Sequence, residues 1–229
     1  MEKSKIKIYR STKGNSKICA VIQTDFGYKK VSKLCEHTWK DLFLEKGYDI
    51  CYIDFTLDDK TYVQNLLSPE LKIYDYIITM FDDLFFYKIN IPKADDLFKA
   101  TKEYNIDYIR FDGRPPNISE QNIIINKVKY FKIDKVKKYV FSTVLACFKK
   151  DLLSNFHKLG LASAWDIEKL NNIDNIKAYA PNHRTADYRN VIVKGKIDVF
   201  QLIFIKGTHI SFYESLKKII FRGFKKLFN

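Results

Sequence analysis

Two adjacent carboxylates, Asp82 and Asp83, stand where the sequence could bind a ligand or carry out chemistry. They directly follow residues 76–81, an almost entirely apolar run of β-forming residues that predicts a buried strand, and they precede an apolar cluster at residues 84–86. Ligands of an open α/β sheet bind at the carboxyl ends of its strands. Burying acids beside aromatic side chains is costly unless a cation or hydrogen-bond donors compensate. The alternative is that the pair forms a turn or caps a helix, since Asp is common in turns.

Further acids stand at the ends of two other predicted strands and later in the chain: Asp25, Asp54, Asp166 and Glu168. A hard divalent cation such as Mn²⁺ or Mg²⁺ binds carboxylate oxygens and substrate phosphates together. Such a cation neutralises a diphosphate leaving group and acts as a Lewis acid. A separate carboxylate can take the proton from an attacking hydroxyl. A nucleotide-sugar transferase requires this division of labour.

Several common catalytic motifs are missing from the sequence. It contains no Gly-x-Gly-x-x-Gly and no P-loop, which argues against a dinucleotide site or a kinase-type phosphate cradle. It also lacks the Gly-x-Ser-x-Gly elbow of a hydrolase, and its four histidines lack the i, i+4 spacing of a helical metal site. The acids at the strand ends therefore remain the main candidates for chemistry.

The first half of the chain alternates between strand and helix patterns. Strands are predicted at residues 17–24, 48–55, 76–81 and 106–111, and helices at 29–46, 61–67 and 93–104. This alternation is typical of a mostly parallel α/β sheet flanked by helices. The second half predicts an antiparallel pair of strands at 129–133 and 139–148, helices at 149–158 and from Ser163, and strands at 187–194 and 199–206. Asp166 follows Ser163 by three residues, which resembles a capping box.

Length and composition favour one globular domain over residues 1–210, because 46% of the 229 residues are hydrophobic and 15% are aromatic. The four cysteines form no Cys-x-x-Cys pair, which predicts reduced thiols in a cytoplasmic protein. The sequence predicts neither a signal peptide nor a transmembrane helix. The net charge of +13 favours an anionic partner: nucleic acid, anionic lipid or a phosphorylated small molecule.

Residues 211–229 predict a basic amphipathic helix at the end of the chain. Apolar side chains recur at helical spacing from Phe212 to Leu227, and lysines and arginines occupy the remaining positions. A basic helix with an aromatic apolar face fits peripheral binding to an anionic membrane, here the inner face of the cell membrane. The alternative is a terminal helix that docks on the sheet.

The segment Phe81-Asp82-Asp83 resembles the Asp-x-Asp-type motif of GT-A-fold glycosyltransferases. Four segments look like a group of bacterial transferases of surface-polysaccharide biosynthesis, the capsule and lipopolysaccharide type. They are residues 76–86, 108–116, 139–153 and 163–168, and the resemblance extends over roughly residues 17–195. The chain departs from the pattern in having Asp-Asp rather than a strict Asp-x-Asp, and Ala164 where the family often has Pro before Trp.

The resemblance implies a nucleotide-sugar donor between the first predicted strand and the acidic pair. It implies that Asp25 and Asp54 lie near the nucleoside, and that Asp82 and Asp83 lie near the diphosphate and a Mn²⁺ or Mg²⁺ ion. In an inverting enzyme of this kind the catalytic base would be Asp166, with Glu168 as the competing choice. For Asp166 the alternative is the helix cap.

Three further residues are candidates for binding. His209 is the candidate for a third metal ligand, with a surface or packing role as the alternative. Arg110 and Arg114 are candidates for binding phosphate or acceptor, because guanidinium groups match anionic oxygens. For Arg110 the alternative is an ion pair with Asp112.

The sequence therefore predicts a GT-A-like enzyme that transfers a sugar from a nucleotide-sugar donor to a glycan or lipid-linked glycan acceptor. A nucleic-acid partner is not expected, because the basic residues are dispersed rather than gathered into a motif. Two alternatives stay open, an RNA-binding protein and a metal-dependent nucleotidyltransferase.

Overall fold

A computed structural model of the chain describes residues 6–14, 17–25, 29–55, 59–113, 118–133, 140–170, 175–190, 192–193 and 196–197. The predicted strand 199–206, the predicted helix 211–229 and the proposed domain boundary at residue 210 lie outside these ranges. Arg114 and His209 also lie outside them, so the predictions for these two residues stay predictions.

The described residues form strands and helices that alternate in the first part of the chain, while most elements after residue 110 are strands. The strands are β1 Ile6–Tyr9, β2 Ile18–Asp25, β3 Asp49–Phe55, β4 Tyr76–Phe81, β5 Leu84–Ile89, β6 Tyr108–Arg110, β7 Ile118–Ile125, β8 Val128–Ile133, β9 Ala146–Lys149, β10 Ala178–Pro181, β11 Ala186–Asn190, β12 Ile192–Val193 and β13 Lys196–Ile197. The helices are α1 Lys29–Glu45, α2 Tyr62–Leu66, α3 Ala94–Glu103, α4 Lys150–Lys158 and α5 Ala164–Glu168, with short 3₁₀ turns at Asp59–Thr61 and Pro69–Leu71.

The central sheet has the order β1-β3-β2-β4-β9-β6-β10-β8-β7 within the described part of the chain. Strands β3, β2 and β4 are parallel neighbours, as the alternating pattern predicts. Strand β4 lies near the middle and five of its six residues are buried, because it is covered on both faces of the sheet. This mixed α/β sheet is compatible with the predicted GT-A-like architecture.

Strand β9 enters the sheet between β4 and β6 and is antiparallel to both. Its residue Ala146 lies opposite Thr79 of β4 on one side and Arg110 of β6 on the other. Strands β4 and β6 therefore point in the same direction, and β10 is parallel to β6. As a result β2, β3, β4, β6 and β10 all end at one side of the sheet, which we call the carboxyl edge.

Two apolar layers cover the faces of the sheet. One layer contains α1, α3 and the β5–β11 ribbon, with Trp39, Phe43 and Leu97 among its buried side chains. The other contains α2, α4 and α5, with Leu66 and Phe156 among its buried side chains. Burial on both faces explains why the strands at the centre of the sheet have continuous apolar runs rather than an alternating pattern.

The predicted pairing of residues 129–133 with residues 139–148 is wrong. Strand β8 pairs with β7 and β10, and only Ala146–Lys149 of the second segment forms a strand. Ahead of it the backbone of Leu145 has a positive φ of 49°, a conformation that interrupts a strand. The Tyr108 hydroxyl holds this irregular stretch, because it accepts a hydrogen bond from Ser142 N at 2.7 Å and donates one to Ser142 O at 3.3 Å.

The sequence pattern also missed β1, β5, β7, β10 and β13. Strand β7 lies at the edge of the sheet and its residues 119–122 are polar, which leaves an apolar run of only three residues at its end. Strands β1 and β10 have only four residues each, too few for a clear pattern.

The cysteines and the lengths of the helices relate to two further predictions from the sequence. All four cysteines are buried, unpaired thiols, as predicted. Among the described residues, no helix has the length and apolar character that crossing a membrane requires.

We predict that Tyr108→Phe lowers the free energy of unfolding by about 1–3 kcal/mol, because it leaves the buried Ser142 amide without an acceptor. Tyr130→Phe is the matched control. Tyr130 is equally buried, but its hydroxyl has no hydrogen-bond partner among the described residues, so its removal should be neutral or stabilising. Urea unfolding of both variants measures the difference. Equal losses for the two variants would contradict the structural role of the Tyr108 hydroxyl.

Candidate active site

The acidic pair forms the turn at the carboxyl end of β4. Asp82 is 5% exposed, and its main-chain N–H donates to Gln23 O on the neighbouring strand β2 at 3.3 Å. Asp83 is half-buried. Strand β5 follows at once, but it leaves the central sheet and pairs with β11 in a second, two-stranded sheet. The pair therefore lies where the chain passes from one sheet to the other.

The strand register brings the other predicted acids to the same edge. Gln23 of β2 lies opposite Phe81 of β4, and Thr24 lies opposite Asp54 of β3. Neighbouring strands are roughly 4.8 Å apart, so the ends of these three strands lie within about 10 Å of one another. The backbone positions of Asp25 and Asp54 are thus near the acidic pair, while their side chains are outside the described part.

The surroundings of the acidic pair are partly apolar and partly polar. The Cys35 thiol of α1 lies close to it: burial raises the pKa of this thiol first, and the negative charges of Asp83 and Asp82 raise it further. On β2 the buried Gln23 side chain has an Nε2 group that makes no hydrogen bond within the described residues. A buried donor of this kind is suited to a ligand or water. Sequence reasoning missed Gln23, because an isolated Gln inside an apolar strand gives no recognisable signal.

Glu168 of α5 reaches the segment that precedes β9. Its Oε1 accepts hydrogen bonds from Thr143 N at 3.0 Å and from Thr143 Oγ1 at 2.8 Å. Because β9 is the direct neighbour of β4, these contacts put Glu168 at the carboxyl edge. The Tyr62 hydroxyl is close by: burial is the main factor that raises its pKa, Thr79 and Thr143 lower it, and the charge of Glu168 raises it.

Asp166 lies two residues before Glu168 on α5 and forms the predicted capping box. Its Oδ2 accepts hydrogen bonds from Ser163 N at 2.9 Å and Ala162 N at 3.2 Å, while its own N–H donates to Ser163 Oγ at 3.1 Å. The hydrogen bonds from Ser163 are the largest factor that lowers the pKa of Asp166. A carboxylate with a lowered pKa is a weaker proton acceptor. Next to it, Trp165 is 59% exposed.

Arg110 forms an ion pair with Asp112, which was the alternative to binding phosphate or acceptor. Its Nε donates to the main-chain oxygen of Asp112 at 2.7 Å, and its Nη2 lies 3.6 Å from Asp112 Oδ2. Two further side chains contact the same carboxylate: Arg184 Nε lies 3.2 Å from Oδ1, and the Tyr188 hydroxyl donates to Oδ2 at 3.2 Å. We call these four residues the Asp112 cluster. Arg184 and Tyr188 are distant in sequence, so no local pattern pointed to them.

The donor chemistry of the acidic pair suits a hard divalent cation, which prefers carboxylate and phosphate oxygens. Across the described ranges, no group of three or more His, Cys, Asp or Glu side chains is arranged to hold a metal ion. Two carboxylates leave most coordination positions to substrate oxygens and water, as Mg²⁺ usually requires. The residues present are therefore compatible with a cation that binds together with a phosphorylated ligand.

A polar cavity of about 190 Å³ lies at the opposite, amino edge of the sheet. It is lined by Arg10, Ser11, Gly14, Lys17, Asp49, Ile73 and Tyr74. Arg10 contacts Asp49 at 2.8 Å and the Tyr74 hydroxyl, and that hydroxyl donates to Asp49 at 2.7 Å. These contacts tie β1 to the start of β3, so the cavity includes a structural ion pair and is remote from the acidic pair.

Comparison of the sequence with known proteins found no match. No protein-family model matches the chain, and no curated protein matches it. Among solved structures, A197 from STIV is 10% identical, with a TM-score of 0.42 over 76% of this chain and 86% of that one. A glycosyltransferase involved in the glycosylation of the major capsid of PBCV-1 is 12% identical, with a TM-score of 0.32 over 62% of this chain and 65% of that one.

We predict that Asp166→Ala lowers the free energy of unfolding by about 1 kcal/mol at pH 7, because the main-chain N–H groups of Ser163 and Ala162 lose their acceptor and the capping box is broken. The pKa of Asp166 is lowered from its usual 3.8, so the stabilisation is complete above pH 3.8 and disappears as the pH falls through the lower, folded-state pKa. Chemical unfolding between pH 2.5 and 7 should therefore show the difference between wild type and variant shrinking in acid.

Asp96→Ala is the control, because Asp96 is an exposed acid in the first turn of α3. Its effect should stay within about 0.5 kcal/mol at every pH. Unchanged stability of Asp166→Ala at pH 7 would rule out the capping role and restore Asp166 as the leading candidate for the base.

Proposed function

We propose that the chain is a glycosyltransferase that moves a sugar from a nucleotide-sugar donor to a hydroxyl of a glycan or lipid-linked glycan acceptor. The observation that carries the proposal is the convergence of acidic residues at the carboxyl edge. The acidic pair ends β4, the backbone positions of Asp25 and Asp54 end the two parallel neighbours, and Glu168 reaches the same edge from α5. The motif resemblance of the Phe81-Asp82-Asp83 segment supports the same reading.

The acidic pair is the proposed site of the donor diphosphate. The Asp82 carboxylate is buried and that of Asp83 is half-buried, and a hard divalent cation prefers carboxylate oxygens as ligands. Asp82 and Asp83 would hold a Mn²⁺ or Mg²⁺ ion, which neutralises the diphosphate when it is bound. The Gln23 amide is a suitable donor to a ligand oxygen at the same place.

Glu168 is the proposed catalytic base. Both hydrogen bonds from Thr143 engage Oε1, and Oε2 makes no hydrogen bond within the described part of the chain. In the transfer step the acceptor hydroxyl gives its proton to the carboxylate while its oxygen forms a bond to the anomeric carbon. The bond from that carbon to the diphosphate breaks, and the nucleoside diphosphate leaves with the electron pair. Asp166 fixes the start of the helix that carries Glu168.

We predict that one of UDP, GDP, CDP or CMP raises the melting temperature of the protein in the presence of Mn²⁺. A ligand at 100 times its Kd stabilises the folded state by about 2.7 kcal/mol, which corresponds to a shift of about 5–10 °C for a chain of this size. Asp83→Asn should lose the shift. Asp96→Asn makes the same change of charge on an exposed helix and should keep it.

Glu168→Gln separates binding from chemistry, because Gln can still accept the hydrogen bonds from Thr143 but is a poor base. It should keep the nucleotide shift and lose release of nucleoside diphosphate from the matching nucleotide sugar. No thermal shift with any nucleotide would contradict the proposed function. Release of pyrophosphate from a nucleoside triphosphate would instead favour a nucleotidyltransferase.

A further inference from the structure

We propose that the exposed indole of Trp165 is an acceptor subsite, on which a sugar ring of the acceptor stacks next to Glu168. The inference rests on the proposed function and adds to it that the acceptor is recognised through the sugar ring that presents the reacting hydroxyl, rather than through a lipid part. Trp165 binds the acceptor and takes no part in proton transfer.

The two tryptophans of the chain lie in opposite environments. Trp39 of α1 is fully buried in the core, whereas Trp165 of α5 is 59% exposed. Tryptophan is highly buried on average, because its large ring gains much from removal from water. Single exposed apolar residues are nevertheless common at protein surfaces, so exposure by itself does not indicate a ligand. The place of Trp165 beside Glu168 is the feature that does.

Trp165 lies on the same side of α5 as Glu168. The two residues are three positions apart, so they are about 60° apart around the helix and their Cβ atoms are about 5–6 Å apart. The helical backbone extends through this stretch, since Lys169 N donates to Trp165 O at 3.1 Å. Ile167 is buried in the apolar layer, and the half-buried Glu168 lies between it and Trp165 around the helix. A ligand that covers the indole is therefore adjacent to the carboxylate.

Hydrogen bonds hold both ends of this segment at the carboxyl edge. Ahead of the helix, Ala162 O accepts a hydrogen bond from Val63 N at 3.1 Å. Val63 belongs to α2, whose first residue packs its ring against Phe81 at the carboxyl end of β4. At the other end, Glu168 is held by the segment that precedes β9. The segment that includes Trp165 therefore lies at the same edge as the acidic pair.

An exposed indole beside a carboxylate matches the two kinds of surface on a sugar ring. One face of a pyranose presents C–H groups, which suit the negative face of an aromatic ring. Its rim carries hydroxyl groups, which suit a carboxylate acceptor such as that of Glu168. A lipid chain would match the indole alone and would place an apolar group against the carboxylate, which is costly. The pairing of the two side chains therefore favours a sugar.

Trp165 is positioned before a ligand binds. It lies between Ser163 and Asp166, and the capping box of these two residues fixes the start of α5. A tryptophan side chain has only two rotatable bonds, so it loses little conformational entropy when a ligand covers it. A preorganised contact surface lowers the cost of binding, which favours affinity.

The test is a titration of the ¹⁵N-labelled full chain with methyl glycosides of the common hexoses and deoxyhexoses, followed by the two indole N–H signals. The signal that disappears in Trp165→Phe is that of Trp165. We expect at least one glycoside to shift this signal saturably and to leave that of Trp39 unchanged, because Trp39 is buried. Saturation-transfer difference spectra should show contact with the ring C–H protons of the same glycoside.

Trp165→Ala should weaken binding of that glycoside, measured by saturation transfer, by about two- to tenfold, the effect of one aromatic contact. Trp165→Phe should retain part of the binding. Tyr104→Ala is the matched control, because Tyr104 is an aromatic residue with 37% exposure that precedes β6 at the amino edge. It should bind the glycoside like wild type. No shift with any glycoside, or an equal loss in Tyr104→Ala, would overturn the inference.

A final arm separates acceptor from donor. Glu168→Gln keeps an oxygen acceptor for the hydroxyl but lacks the base, so it can hold donor and glycoside together without transfer. The glycoside should still bind to this variant when it is saturated with the matching nucleotide sugar and Mn²⁺. Displacement of the glycoside by the nucleotide sugar would assign Trp165 to the donor and overturn the acceptor role. Failure of the proposed function looks different, because no nucleotide would then raise the melting temperature, whatever the glycoside titration shows.

Discussion

Main-chain pairing on both sides of β4 determines where Gln23, the acidic pair and Glu168 lie relative to one another. The parallel ladder with β2 brings the start of the acidic turn next to Gln23, and the antiparallel ladder with β9 brings the segment around Thr143 to the other side. Thr143 in turn holds Glu168. A shift of either ladder by one residue would turn the side chains to the opposite face and separate these groups.

The sheet separates two kinds of polar site. At the carboxyl edge the acidic pair follows β4 and the Asp112 cluster follows β6, two strands away, which corresponds to roughly 10 Å. At the amino edge Arg10, Asp49 and Tyr74 contact one another and tie β1 to the sheet.

Local sequence patterns predicted those features of the site that depend on neighbouring residues. The continuous apolar run at residues 76–81 predicted the boundaries of β4, and the spacing of Ser163 and Asp166 predicted the capping box. Both features depend on residues that are neighbours in sequence. The interpretation of Arg110 as a partner of Asp112 is of the same kind.

Contacts between distant parts of the chain could not be predicted in this way. The position of β9 between β4 and β6 depends on pairings about 70 and 38 residues apart, and the apolar run ahead of it suggested a longer strand with a different partner. Arg184 joins Asp112 from 72 residues away. Gly113 has to be a glycine because a Cβ at this position would lie 2.3 Å from His183 C, and this approach of two distant segments exists only in the folded chain.

Hydrogen–deuterium exchange with UDP, GDP and CDP, each with Mn²⁺, is the most direct measurement of where a ligand binds. A nucleotide at the carboxyl edge should slow amide exchange in peptides that contain residues 18–25 and 76–86, because it covers and stabilises the ends of β2 and β4. Peptides of the amino-edge cavity, at residues 6–14 and 72–75, should exchange at their original rate. Protection confined to the amino-edge cavity would contradict the proposed site.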